Sequence, residues 1–247
     1  MFPFVYLITG SPLLLAGIGD QSLSNIINTI LAILIAIDVH ELGHALVADR
    51  LGDDTPRLSG HISLNPFRHM DQFGIIMLFI TSISGTAFTY GFTPINEDKL
   101  RRRTKFGPAL VTIAGPLMNL ILAALVAIPI AKATGITINA DGSPAYAIGG
   151  NTSLFDFSVR LFEINTFLFV FNLVPFPPLD GWKLVSELLT PKARYDLRQF
   201  VQYGPMIILA LLFFEPQIHF FSNVIFPITN GIENHFLQFW GSPFQVA

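Results

Sequence analysis

Residues 22–51 read SLSNIINTILAILIAIDVHELGHALVADRL, a long apolar run followed by a polar end. A helix that spans a bilayer needs about 20 mostly apolar residues, and this stretch supplies them. Ser22 or Ser24 can cap the start of such a helix, and Gly52 favours its end. The stretch therefore predicts one membrane helix whose last turns carry polar side chains.

The composition of the whole chain is typical of an integral membrane protein. Of the 247 residues, 51% are hydrophobic and only 13% are charged, whereas a soluble domain carries roughly 25% charged residues. The formal net charge of −3 offers no basic surface to nucleic acid. The sequence contains no Cys, which excludes disulfides, thiolate metal sites and cysteine nucleophiles.

Three further apolar stretches predict membrane helices: residues 106–131, residues 157–174 and part of 203–228. Residues 2–18 and 73–91 are also apolar, but both contain internal glycines, so the sequence leaves open whether they cross. We therefore expect an all-α integral membrane protein, a polytopic bundle of about four to six membrane segments.

The bundle is expected to form a single domain over residues 1–247. Its core helices are predicted at about 22–51, 106–131 and 157–190. Twelve of the 14 Lys and Arg lie within residues 50–105 or 183–198. The positive-inside rule places these parts on the cytoplasmic face.

That placement has a consequence for residues 73–91. If they crossed the membrane once, the cluster KLRRRTK at 99–105 would lie on the opposite side from Arg50 and Arg57. We therefore predict a re-entrant region at about residues 57–95, for which a β-hairpin is one conformation that the sequence allows. The loop 132–156 then faces outward.

The polar end of the first helix carries His40, Glu41 and His44. Positions i and i+4 share one helix face, so both imidazoles can bind one zinc ion at about 2.0–2.1 Å. A glutamate next to the first histidine completes the HExxH arrangement of zinc hydrolases, in which it accepts a proton from a water activated by the metal. The alternative is a helix end whose polar groups only meet the membrane interface.

A third zinc ligand is expected, because catalytic zinc usually has three protein ligands. The stretch FNLVPFPPLDGWKL, residues 171–184, offers Asp180 after a proline-rich break that ends the preceding helix. Gly181 would allow a tight turn there. Asp180 could instead cap the helix that follows, which is the commoner role for an aspartate in such a place.

The motifs HELGH and NLVPFPPLDG, on two membrane helices in this order, resemble the site-2 protease family of intramembrane zinc metalloproteases. GPLMN at 115–119 is similar to the G-x-x-x-N signature of that family, and residues 47–74 resemble its compact members without PDZ or CBS domains. The resemblance covers about residues 30–190. The resemblance implies one zinc ion per chain. The sequence departs from the family pattern at His61, where relatives would carry Arg.

The resemblance also implies roles for single residues. The implied zinc ligands are His40, His44 and Asp180, Glu41 is the implied general base, and Asn172 is implied to lie near the substrate. The implied activity is zinc-dependent endoproteolysis of transmembrane segments, as in regulated intramembrane proteolysis, with a transmembrane protein in the lipid bilayer as the partner.

A multi-pass protein of the plasma or inner membrane is expected, with the active site towards the cytoplasm because His40 lies past the middle of its helix. The alternative function is a catalytically inactive scaffold or a membrane metal carrier that keeps the zinc site. A carrier should show a path of intramembrane acids or histidines, whereas the polar groups cluster at one place. No oligomeric state is predicted.

Secondary roles are expected for other polar residues. His69 and Asp71 are predicted to make structural hydrogen bonds, and Asn119 to pack the core helix, with Gly115 permitting close approach. Residues 58–66, LSGHISLNP, alternate apolar and polar positions and predict an edge strand. An unwound substrate could pair with such a strand.

Overall fold

The computed structural model describes residues 23–70, 76, 91–133, 136–138, 144–146, 148 and 152–241. The predictions made for residues 2–18 and for most of 73–91 fall outside these ranges. The larger helices are α1 (Leu23–Arg50), α4 (Gly107–Ala131), α5 (Thr152–Asn172), α8 (Arg198–Phe213) and α10 (Phe226–Phe239). The shorter helices are α2 (Thr55–Leu58), α3 (Glu97–Arg103), α6 (Asp180–Leu188), α7 (Pro191–Asp196) and α9 (Glu215–Ile218).

The described chain is helical apart from one short hairpin. Strand β1 (Ile136–Ile138) pairs antiparallel with β2 (Pro144–Tyr146), with Thr137 opposite Ala145. This hairpin lies in the loop between α4 and α5.

Helix α1 ends at Arg50, just before Gly52, as the sequence predicts. The N–H of Asp53 donates to the carbonyl of Ala48, and the N–H of Gly52 donates to that of Asp49, both at 3.0 Å. Gly52 has a φ of +95°. Together these features form a Schellman motif, in which glycine adopts the left-handed conformation at no steric cost.

Helices α1 and α4 pack against each other through small residues. Ala32 and Ala36 of α1 and Ala123 and Ala127 of α4 are fully buried. A Cβ at Gly43 would lie 2.7 Å from Met118 Cγ and 2.8 Å from the carbonyl oxygen of Ala114. Small side chains therefore let the helix backbones approach closely, as is usual between membrane helices.

The outer faces of α1 and α4 carry apolar stripes. Large hydrophobic side chains are exposed at every fourth position, at Ile27, Leu31 and Ile35 of α1 and at Leu117, Ile121 and Leu125 of α4. Two of the described helices, Ile27–Arg50 and Gly107–Ala131, are long and apolar enough to cross a membrane. Exposed stripes of this size suit contact with lipid.

The fourth predicted membrane helix is broken into pieces. Residues 198–239 form α8, α9, a π-helical turn at Phe221–Ile225 and α10. Pro227 lies in the first turn of α10, where its missing N–H costs no helix hydrogen bond. An aromatic cluster holds these pieces to α5, because Phe221 and Phe226 pack on Phe167 with ring centroids 6.3 and 6.1 Å apart.

The predicted edge strand at residues 58–66 is wrong. These residues form the end of α2, a turn with φ of +76° at Gly60, and bends that lead into a 3-10 turn at Pro66–Arg68. The Asn65 N–H donates to Ser63 Oγ, and the Asn65 side chain accepts from the Phe67 N–H, both at 3.1 Å. Side-chain oxygens thus accept the hydrogen bonds of backbone N–H groups that would otherwise pair with a neighbouring strand.

Residues 91–96 run back along the polar half of α1. The N–H of Phe92 donates to the carbonyl of His69 at 2.8 Å, and the N–H of Asn96 donates to Asp53 Oδ2 at 2.6 Å. Lys99 Nζ lies 2.5 Å from Asp54 Oδ1 and lowers the pKa of that carboxyl through this hydrogen bond. These contacts place the start of α3 beside the end of α1.

Candidate metal centre

Three buried side chains from two helices meet at one point. His40 Nε2 and His44 Nε2 are 3.1 Å apart, as the i, i+4 spacing on α1 requires. Asp180, the first residue of α6, places its Oδ2 atom 3.1 Å from His40 Nε2 and 3.0 Å from His44 Nε2. Among the described residues, this is the one group of three or more potential ligands whose ligand atoms lie within 4.8 Å of one another.

The other ring nitrogen of each histidine is held by an acceptor. His44 Nδ1 lies 2.7 Å from the carbonyl oxygen of Val111. A carbonyl only accepts, so this nitrogen carries the proton. His40 Nδ1 lies 2.6 Å from Asn119 Oδ1 and donates to it. Both Nε2 lone pairs therefore point towards the Asp180 carboxylate. Imidazoles that bind a metal usually show this arrangement, in which the other ring N–H donates to an acceptor that fixes the ring.

This donor set fits zinc. Two imidazole nitrogens and one carboxylate oxygen are common zinc ligands, and ligands at about 2.0–2.2 Å in tetrahedral geometry lie about 3.3–3.5 Å apart. The observed separations of 3.0–3.1 Å are close to that value. A Cβ at Gly115 would touch His44 Nε2 and would lie 2.7 Å from His40 Nε2, so glycine keeps the space beside both ligand atoms open.

Helix α6 begins in a way that fixes the Asp180 carboxylate. Leu179 is the N-cap, and no side chain caps the helix, so the capping alternative for Asp180 is wrong. A Cβ at Gly181 would collide with the carbonyl oxygen of Leu173. Gly181 is thus needed for close packing. Asp180 Oδ1 accepts a hydrogen bond from Lys183 Nζ at 2.8 Å.

The Glu41 carboxylate lies beside the candidate metal ligands and contacts residues 91–96. Thr93 Oγ1 donates to Glu41 Oε2 at 2.6 Å. A Cβ at Gly91 would lie 2.7 Å from Glu41 Oε1, so a larger residue there would displace the carboxylate. Neither contact could be predicted from the sequence, since Thr93 lies 52 residues from Glu41.

A cavity of about 630 Å³ opens onto these groups. His40, Glu41, His44 and Asp180 line it together, and Asn172 lines it at the end of α5. Apolar side chains form other parts of its wall: Ile37, Phe167, Leu168, Phe171 and Leu179. Asn172 Nδ2 donates to the carbonyl of Leu168 at 3.0 Å. A mostly apolar cleft with a few convergent polar groups is typical of a binding site.

Asn119 holds His40, a candidate metal ligand, and the prediction of simple packing did not include this role. Its Nδ2 donates to the carbonyl of Ala36 at 2.9 Å and to Asn165 Oδ1 at 2.8 Å, while its Oδ1 accepts from His40. Asn165 was not predicted at all. An Asn in the apolar stretch of α5 marks an unusual position, but nothing in the sequence shows that its side chain meets Asn119.

The remaining histidines of this region lie outside the metal centre. His69 is buried, and its Nε2 lies 3.1 Å from the carbonyl oxygen of Ser63 and 3.4 Å from Asp38 Oδ1. The predicted structural hydrogen bonding of His69 is confirmed, whereas Asp71 lies outside the described residues. His61 contacts the Ser59 carbonyl through Nδ1 at 3.2 Å.

Comparison with known proteins assigns the chain to a protein family. Residues 28–147 match Peptidase family M50. The "Putative zinc metalloprotease YwhC" of Bacillus subtilis (strain 168) is 32% identical over 219 residues, covering 87% of this chain and 92% of that protein. The "Putative zinc metalloprotease Rip2" of Mycolicibacterium smegmatis is 31% identical over 182 residues, covering 72% of this chain and 64% of that protein. No solved structure matches the chain significantly.

The chain therefore belongs to peptidase family M50, the site-2 proteases, and is a membrane zinc metalloprotease. The resemblance drawn from HELGH and NLVPFPPLDG is confirmed. The matched residues 28–147 contain His40, Glu41, His44 and Asn119 but end before Asp180. The place of Asp180 at the metal centre thus rests on its distances to the two histidines.

Proposed function

We propose that this protein is a zinc-dependent endopeptidase that cleaves transmembrane segments of other membrane proteins inside the lipid bilayer. The convergence of His40, His44, Asp180 and Glu41 in one cavity of a bundle with two membrane-length helices supports this proposal. Membership of a peptidase family favours the enzyme over an inactive scaffold or a metal carrier.

Each side chain of the centre has a proposed role. His40, His44 and Asp180 would hold one zinc ion, which would supply Lewis-acid activation of the scissile carbonyl and of a water molecule. Glu41 accepts the proton of that water as its oxygen adds to the carbonyl carbon. Glu41 then delivers the proton to the amide nitrogen as the C–N bond breaks, leaving a carboxylic acid and an amine.

Glu41 needs a fixed position for both proton transfers. The Thr93 hydroxyl holds one carboxylate oxygen at 2.6 Å, and the Asp53 carboxylate anchors the same segment through the N–H of Asn96. Asp53 is fully buried and also accepts from the Thr55 N–H at 3.1 Å. We assign Thr93 the role of orienting Glu41 towards the cavity.

The substrate is proposed to bind in an unwound form. A peptide bond in a helix is shielded by its i to i−4 hydrogen bonds, so a water molecule cannot approach its carbonyl squarely. The backbone N–H groups of Thr93 and Ile95 have no partner among the described residues, and both residues line the cavity. Residues 91–96 can therefore take the backbone contacts that residues 58–66 cannot offer, with Asn172 across the cavity.

Substrates with a weakened helix near the cut should be cleaved faster. Relative to Ala, Pro costs about 3 kcal/mol and Gly about 1 kcal/mol in a helix, so each lowers the cost of unwinding. The test is a series of transmembrane substrates in liposomes, in which Gly, Asn or Pro near the cut is replaced by Leu or Ala. Equal rates for a fully helix-favouring segment and its weakened parent would show that unwinding does not limit cleavage.

We further propose a multi-pass topology of four to six segments with a re-entrant stretch at about residues 57–95. Crossing the hydrocarbon core separates the two ends of a segment by about 30 Å, whereas the His69 carbonyl and the Phe92 N–H are 2.8 Å apart. This contact supports a chain that enters and leaves the stretch at one level of the membrane. The basic residues of 50–105 favour a position of that level, and of the nearby metal centre, towards the cytoplasmic side of a plasma or inner membrane.

Accessibility labelling checks this topology, since the sequence contains no native Cys. Single variants Asp54→Cys and Asp98→Cys should react from the same, cytoplasmic face with a membrane-impermeant thiol reagent. Asp141→Cys, between α4 and α5 in the sequence, is the control and should react from the other face. Labelling of positions 54 and 98 from opposite sides would show that residues 73–91 cross the membrane.

A further inference from the structure

A chain of buried amides links helix α5 to the metal centre. Asn165, on α5, is fully buried, as is Asn119 on α4. Asn165 Oδ1 accepts from Asn119 Nδ2 at 2.8 Å, and Asn119 Oδ1 accepts from His40 Nδ1 at 2.6 Å. Two hydrogen bonds thus separate Asn165 from His40. Asn165 does not line the cavity and contacts no candidate ligand atom.

Backbone carbonyls at both ends set the direction of the chain. Asn165 Nδ2 donates to the carbonyl of Leu161 at 2.7 Å, which leaves Asn165 Oδ1 facing Asn119. Asn119 Nδ2 donates to the carbonyl of Ala36 at 2.9 Å. A carbonyl oxygen cannot donate. If either amide flipped, its oxygen would face a backbone carbonyl, so two acceptors would meet without a hydrogen bond.

The direction of the chain decides where His40 carries its proton. With Asn119 Oδ1 towards the ring, His40 keeps the proton on Nδ1 and presents the Nε2 lone pair to His44 and Asp180. A flipped Asn119 would offer an N–H to Nδ1. The proton of a neutral His40 would then sit on Nε2, where a metal has to bind.

We propose that Asn165 is a positioning residue of the metal centre: by accepting from Asn119, it holds the Asn119 amide in the orientation that makes His40 a zinc ligand. The proposal rests on the proposed function in one respect, the role of His40 as a ligand. It assigns helix α5, which supplies none of the three ligands, a part in metal affinity.

The test is the zinc affinity of the purified full-length protein in detergent, measured by competition with a chelator. Asn165→Leu keeps the branched shape and removes the acceptor. Its zinc dissociation constant should rise about 10-fold, the lower end for changes outside the ligand shell. Asn165→Asp in its neutral form keeps an oxygen towards Asn119 and an O–H that can donate to the Leu161 carbonyl, so it should restore an affinity near that of the wild type. Asn165→Ala replaces Asn165→Leu if the leucine variant does not fold.

Thr166→Val is the matched control. Thr166 is the next residue on α5 and is also fully buried, but its hydroxyl donates to the carbonyl of Phe162 in its own helix. This variant loses a buried hydrogen bond without touching the amide chain, so its zinc affinity should match that of the wild type even if its thermal stability falls.

A double-mutant cycle separates positioning from general damage. In an Asn119→Ala background the hydrogen bonds from Asn165 to His40 are already broken, so Asn165→Leu should cause no further loss of zinc affinity. Equal loss in both backgrounds, unchanged affinity in Asn165→Leu, or equal losses in Thr166→Val and Asn165→Leu would overturn the proposal.

His40→Ala distinguishes failure of this inference from failure of the proposed function. If His40→Ala loses zinc and Asn165→Leu does not weaken binding, His40 is a ligand and Asn165 has no positioning role. If His40→Ala binds zinc as the wild type does, the ligand assignment itself is wrong.

Discussion

Replacing Glu41 by Gln should abolish cleavage and leave the zinc content unchanged. Gln keeps the size of the side chain and an oxygen that can accept from Thr93 Oγ1, so its position should persist. The Gln amide cannot accept a proton from water. General base catalysis typically contributes 10²–10⁴-fold, so the rate should fall by at least about 100-fold.

The measurement pairs the zinc content of each purified variant with its cleavage rate on one transmembrane substrate. Glu97→Gln is the control, because Glu97 borders the same cavity from α3 and hydrogen-bonds Arg101 instead of the metal centre. Its zinc content and cleavage rate should stay near those of the wild type. Substantial turnover by Glu41→Gln with full zinc would mean that another group is the base.

The second large effect is expected from Asp180→Ala, which should lose most of its zinc. The two histidines alone leave the ion without the carboxylate oxygen that lies 3.0–3.1 Å from both Nε2 atoms. Changes beyond the ligand shell already weaken metal affinity 10–100-fold. Removing a ligand should therefore raise the zinc dissociation constant by more than about 100-fold.

Metal analysis after extensive dialysis checks this prediction, with Asp54→Ala as the control. Asp54 forms a half-exposed ion pair with Lys99 on the surface, and such pairs contribute little to stability. The Asp54→Ala variant should keep its zinc. One zinc per chain in dialysed Asp180→Ala would show that the third ligand lies elsewhere.

The parts of the site that could be predicted from the sequence are those with local causes. His40 and His44 share a helix face whatever the rest of the chain does, because their spacing sets it. Gly52 ends α1 through its own backbone conformation. Asp180 was expected from its place after the Pro break together with the family resemblance, and the structure brings it to the histidines.

The parts that could not be predicted depend on contacts between distant residues. Thr93 reaches Glu41 across 52 residues, and the Val111 carbonyl reaches His44 across 67. Neither residue belongs to a pattern that periodicity or spacing can reveal. Asn165 meets Asn119 only because α4 and α5 pack closely.

The wrong prediction at residues 58–66 has a physical cause. The alternation in LSGHISLNP matches the period of a strand, but the stretch also contains Ser, Asn and Gly. These residues hydrogen-bond the nearby backbone or adopt positive φ, and both occur here, at Ser63, Asn65 and Gly60. Turn formation therefore prevails over the alternating pattern.

Mapping the cut in a transmembrane substrate tests the central claim most directly. The purified, zinc-loaded protein is reconstituted with the substrate in liposomes, and the products are identified by mass spectrometry. We expect new termini inside the hydrophobic segment of the substrate, absent from the Glu41→Gln sample. Cuts confined to the soluble flanks of the substrate, or the same cuts with Glu41→Gln, would contradict intramembrane cleavage by this centre.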